Sequence, residues 1–94
     1  MVYKYYRITD YSYDRAKEIG VIIKPSQKAK YKIDVYDKTG DYITSIGARG
    51  YLDYGTIIKK NGKDYADYRR SLFYKRHGKY KKGTRGWYSS YILW

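Results

Sequence analysis

The chain is 94 residues long and carries 21 Lys and Arg against 9 Asp and Glu, a net charge of +12, which makes it one small basic domain spanning residues 1–94 with a correspondingly small core. It has no cysteine and a single histidine, so disulfides and Cys-based zinc or iron sites are excluded and an intracellular setting is permitted. Aromatic residues make up 20% of the chain, 16 of them Tyr. Tyr therefore stands where a core would ordinarily use Val, Leu and Ile, and its hydroxyl suits half-wet positions and interfaces.

In chain order, residues 2–8, "VYKYYRI", alternate roughly between β-branched or aromatic and polar positions and predict a strand. "YSYDRAKEI" predicts a helix, with Asp10 or Ser12 as its cap and Gly20 as its left-handed stop. "GVIIKP" predicts a short strand that Pro25 ends, and "SQKAK" a polar connection. The plainest local signal is a hairpin over residues 31–47. Tyr31, Ile33 and Val35 alternate with Lys32, Asp34 and Tyr36, "DKTG" reverses the chain, and Asp37 and Asp41 are turn residues. "GARGYLDYG" is expected to be a glycine-punctuated loop and "TIIKK" an edge strand. A helix follows over residues 63–77, started by Asn61 or Asp64 and ended by Gly78, with Tyr65, Tyr68 and Leu72 on one face. After a basic loop, "KYKKGTRG", the segment 87–94 places Trp87, Tyr91 and Trp94 at a helical spacing, as a core stripe or an anchor inserted into a neighbour. The expected fold class is α+β: a small antiparallel sheet around the hairpin, covered by the 63–77 helix and closed by the C-terminal aromatic segment.

Charge is concentrated in one half of the chain. Residues 1–47 hold nine Lys and Arg against six acids, and residues 48–94 hold twelve against three. From Arg69 to Arg85 run Arg69, Arg70, Lys75, Arg76, Lys79, Lys81, Lys82 and Arg85 without an intervening Asp or Glu, interleaved with Tyr74 and Tyr80. Such a surface attracts polyanions. The same residues serve two partner classes: acidic protein faces, since Arg and Tyr are enriched at interfaces and Arg forks grip carboxylates, or nucleic acid, DNA or RNA, with cations on phosphates and rings under bases. Self-repulsion within the run favours an oligomer or assembly. No apolar stretch approaches the roughly 20 residues of a membrane span, and Lys4 and Arg7 interrupt what a signal peptide would keep apolar.

Catalysis finds little foothold. His77 stands beside Arg76 with no carboxylate near in sequence to orient it, the acids are scattered, and "GKYKKGTRG" lacks the spacing of a phosphate loop. No catalytic residue, metal ligand or cofactor is expected, and the chain reads as a non-enzyme.

Three blocks of the C-terminal half carry a resemblance. Gly47, Ala48, Arg49, Gly50, Tyr51, Asp53 and Tyr54 form a Gly-Ala-basic-Gly-Tyr-x-Asp-aromatic loop; Tyr74, Arg76 and His77 end a helix; Trp87, Ser89, Leu93 and Trp94 form a closing pattern. Over residues 47–94 the chain resembles a family of small basic proteins encoded by large eukaryotic double-stranded DNA viruses of the algal-virus and giant-virus type. The resemblance implies a virus-encoded structural protein, a minor capsid or core-associated component of the virion made in the infected cell, with other virion proteins as partners.

Overall fold

Thr9 starts the first helix. In the computed structural model, which describes residues 5–94, its backbone is extended and its hydroxyl accepts the Ser12 amide at 3.3 Å, satisfying one of the donors that a helix N-terminus leaves open. Helix α1 then runs Asp10–Glu18, and Gly20, at φ 72°, turns the chain out as expected. The cap is thus Thr9 and neither Asp10 nor Ser12. The Ser12 hydroxyl is buried and donates to the Ile92 carbonyl at 2.9 Å, tying α1 to the C-terminal helix.

Residues 5–8 do not form the expected strand, and residues 2–4 lie outside the described residues. Side chains hold this segment instead of a ladder: Ile8 enters the core, and the Tyr6 hydroxyl reaches Asp53 at 2.5 Å. Strands β1 (Ile22–Pro25), β2 (Tyr31–Tyr36) and β3 (Tyr42–Ala48) form an antiparallel meander in that order. Ile33 faces Ile46 and Val35 faces Thr44, so the apolar alternation of the hairpin sets its register. At the turn the Asp37 carboxylate accepts the amides of Thr39 and Asp41 at 2.9 and 3.0 Å, and Gly40 supplies φ 91°.

"TIIKK" is not an edge strand. Asp53 caps the Thr56 amide at 3.0 Å and starts helix α2, Tyr54–Asn61, which takes Tyr54 and Gly55 out of the expected loop. Tyr54, Ile57 and Ile58 lie at helical spacing, and burial of Tyr54 and Ile57 outweighs the β preference of the isoleucines. Helix α3 spans Lys63–His77 as expected and stops at Gly78, but its start is Gly62, with no side-chain cap from Asn61 or Asp64. Helix α4 runs Arg85–Leu93 behind a Thr84 cap.

The α+β class holds; the cover of the sheet differs from the expectation. Helices α1 and α4 lie on the sheet, while α3 packs on α2. The reason is which face of α3 is apolar enough to bury. Tyr65, Tyr68 and Leu72 remain 42, 57 and 41% exposed, and Ala66 is the helix's one buried residue. The main core is aliphatic: Ile8, Ile23, Ile33, Val35, Ile46, Ile92 and Leu93, each buried side chain contributing about 1.5–3 kcal/mol. A second cluster joins Tyr54, Ile57 and Ala66, and Trp94 touches both. Among the described residues Tyr54 is the only buried tyrosine, so the rings sit mainly around the core and do not replace its aliphatics.

Gly47 lets α4 approach β3. Its φ is 76°, and a Cβ there would lie 2.6 Å from Leu93 Cδ1 and 3.1 Å from Lys32 Cδ. Gly47→Ala is therefore expected to cost about 2–3 kcal/mol from backbone strain and overpacking together, read as a lower urea midpoint at unchanged m-value.

A candidate docking groove

The cationic run divides among three surroundings. Arg70 turns inward: its guanidinium lies 3.7 Å from the Tyr54 ring centroid, Nη2 donates to the Tyr11 hydroxyl at 3.1 Å, and its buried Nε finds no acceptor among the described residues. It joins α3 to α1 and α2, and is removed from the expected binding set. Arg70→Ala should lower stability by about 1–3 kcal/mol in urea denaturation, through the lost cation–π contact and hydrogen bond. Arg70→Lys should recover only part of this, because an ammonium cannot stack as the planar group does.

Arg69, Arg76 and Arg85 face a groove. Its walls are α3 on one side and β3 with α4 on the other, and residues 51 and 52 close one end. Two adjoining hollows of about 410 and 270 Å³ compose it, sharing Gly47, Ala48, Phe73, His77 and Ser89. The floor is apolar: Leu52, Leu72, Phe73, Leu93 and Trp94. Phe73 stacks on Trp94 with centroids 4.7 Å apart and planes within 9°, and His77 lies 4.4 Å from Phe73 on its other neighbouring turn. His77 Nδ1 is 3.0 Å from the Tyr80 hydroxyl, and the Tyr80 ring covers Gly86 so closely that no Cβ fits there. Arg85 lies 5.3 Å from the Tyr31 ring centroid, and its Nε donates to Thr44 Oγ1 at 3.3 Å. No Asp or Glu lines either hollow.

At the base of the groove Lys32 is buried against Asp53, Nζ to Oδ2 at 2.9 Å, and also donates to the Tyr51 carbonyl. Burial by itself pushes the Asp53 carboxyl up. The Lys32 charge and hydrogen bond, with those from Tyr6 and the Thr56 amide, outweigh that and hold it below the usual value. The Tyr6 hydroxyl is shifted the other way, well above the ordinary tyrosine value, by burial first and then by its bond to Asp53. This network is spent internally and fixes the loop whose residues 51 and 52 close the end of the groove.

The remaining expected residues separate from it. Lys82 borders a hollow beside Trp87 on another side of α4. Lys75, Lys79 and Lys81 are exposed outside all three hollows. Tyr74 donates to the Ser90 carbonyl at 3.0 Å, a strut between α3 and α4. The expected stripe of Trp87, Tyr91 and Trp94 is only half-buried and does not form the core. Ile92 and Leu93 occupy that place, Tyr91 sits 3.8 Å under Arg15, and Trp94 turns toward Phe73. Leu72 and Phe73 were missing from the residues read as binding, although Ala66, Arg70, Phe73 and His77 repeat at helical spacing along α3 and could have shown which face turns inward.

No helix of the described residues is long and apolar enough to cross a membrane. The chain matches no protein-family model, no curated protein and no solved structure.

Proposed function

We propose that this chain is a non-enzymatic docking protein, a structural component of a large double-stranded DNA virus particle, whose groove holds an acidic segment of another virion protein. The observation that carries the reading is the lining: an apolar floor deep enough for bulky side chains, rimmed by Arg69, Arg76 and Arg85, with no carboxylate along it. An apolar side chain flanked by Asp or Glu satisfies both parts, with arginine forks on the carboxylates and the side chain over Leu72 and Leu93. The viral setting comes from the resemblance of residues 47–94.

Nucleic acid fits this groove less well. Its rings pack on one another, Phe73 with Trp94 and His77, and that spends surface a base would need.

The test is fluorescence anisotropy with a labelled peptide carrying a Leu-Phe pair between two runs of Glu. Micromolar binding is expected, about 8 kcal/mol. Replacing Leu-Phe by Ser-Ser should weaken it roughly tenfold, since the loss of a well-buried apolar contact is worth more than 1 kcal/mol. Equal binding of both peptides would remove the floor from the reading, and binding of neither would remove the groove.

A further inference from the structure

Helix α4 has two sides. Arg85, Gly86, Ser89 and Leu93 face the groove, and at 100° per residue Trp87 stands nearly opposite them. There Trp87 borders a separate open hollow of about 530 Å³, with Lys17 at the end of α1, Lys38 in the hairpin turn and Lys82 before α4. Three cations far apart in sequence line the same hollow as this ring.

None of the three ammonium groups pairs with a carboxylate among the described residues. The one acid at the hollow, Glu18, is already engaged, 3.6 Å from Arg15 Nη1 and accepting from the Tyr91 hydroxyl at 3.3 Å. The Lys38 stem passes close over Gly20, where a Cβ would come within 3.1 Å of Lys38 Cε, so a glycine makes room for this arrangement. Three cations against one carboxylate leave the hollow net positive, and an anion placed among them relieves the repulsion.

The chemistry of the lining selects the anion. Lysine presents a compact, rotatable charge that meets a phosphate oxygen as a point charge. The Trp87 ring meets Tyr88 edge-on at 5.0 Å and Tyr91 at a 35° tilt and 5.6 Å; neither contact is a parallel stack. The side of the ring that borders the hollow is where a base would lie. Bases inside a duplex are already stacked on each other and cannot lie there, and a flat membrane surface does not enter a concavity.

We infer that the hollow formed by Lys17, Lys38, Lys82 and Trp87 binds single-stranded nucleic acid, phosphates on the ammonium groups and a base on the ring. With the groove reading, on which this last step rests, the chain holds a protein segment and a nucleic-acid strand on opposite sides of one helix and links the two.

The experiment measures a labelled oligothymidylate by anisotropy across a salt series, in parallel with the acidic peptide. The wild-type chain should bind the strand. The combined Lys17→Gln, Lys38→Gln and Lys82→Gln variant should weaken it and flatten the log–log salt slope by about 2, since each phosphate contact of a single strand contributes about 0.7. Trp87→Leu should weaken it by about fivefold to a hundredfold, the value of one stacked base. Peptide binding should fall by no more than about two- to threefold in the lysine variant, the long-range share of three charges outside the groove, since the altered positions are exposed and leave the core untouched. If the lysine variant keeps full strand binding while loss of Arg76 and Arg85 abolishes it, the strand lies in the groove and this inference falls; the groove reading falls with it only if the acidic peptide does not bind. If the wild-type chain binds peptide but no strand at physiological salt, or binds a duplex equally well, the inference falls and the groove reading stands.

Discussion

Asp53→Ala is expected to cost about 3–5 kcal/mol, a large share of what holds so small a domain together. The carboxylate is 1% exposed and makes three attachments: to Lys32 of β2, to the Tyr6 hydroxyl and to the Thr56 amide. Removing it strands the Lys32 ammonium in the interior and uncaps α2 at once. The double change Lys32→Met with Asp53→Asn should recover most of the loss, because no charge is then left buried and the Asn side chain can still cap the Thr56 amide. Urea denaturation of Lys32→Met, Asp53→Asn and their double variant gives the coupling directly; additive losses would show that the pair is not a unit. The pH dependence follows in sign. Since the Asp53 carboxyl titrates lower in the folded chain than in the unfolded one, its contribution is complete above the unfolded value of about 3.9 and is lost as pH falls from there through the folded value. Tyr6, shifted upward, contributes fully below about 10 and loses its contribution as pH rises through its folded value. Asp53→Asn should therefore flatten the acid limb of the stability profile.

The other large effect concerns binding. Changing Arg69, Arg76 and Arg85 together to Gln should weaken the acidic peptide on the order of a hundredfold, at about 1 kcal/mol for each partly exposed charge-assisted contact. Changing Lys75, Lys79 and Lys81 to Gln removes the same formal charge from outside the hollows and should cost only about two- to threefold, the long-range share that salt screens. Anisotropy titrations of the two triple variants at one ionic strength decide between placement and net charge. Equal losses would mean that the groove confers no specificity and the charge acts as a diffuse field.

Much of this was legible along the chain because the physics is local. Alternation over residues 31–36 and an Asp–Gly turn define a hairpin whatever lies around it, Pro25 ends a strand because it has no amide to donate, and Gly20 and Gly78 end helices because they accept positive φ. Of the uninterrupted cations between Arg69 and Arg85, Lys75, Lys79, Lys81 and Lys82 are exposed, whereas Arg70 turns inward. Residues 56–60 misled because β-branched side chains favour strands intrinsically, while the cap at Asp53 and the burial of Ile57 depend on what packs there.

Tertiary structure alone decided how the charge is divided. Neighbours three or four apart on a helix share a face, whereas adjacent residues diverge by 100°, so Arg69 reaches the groove while Arg70 stacks on Tyr54 from another element. Lys17 and Lys38 belong with Lys82 only because α1, the hairpin turn and α4 meet. Lys32 and Asp53 read as a strand polar residue and a loop acid, and became one buried pair through a contact that no local pattern encodes. Composition determined that the surface of this protein is strongly basic; the packing of α3 against α2, which leaves a gap beside α4, determined where three of its arginines gather.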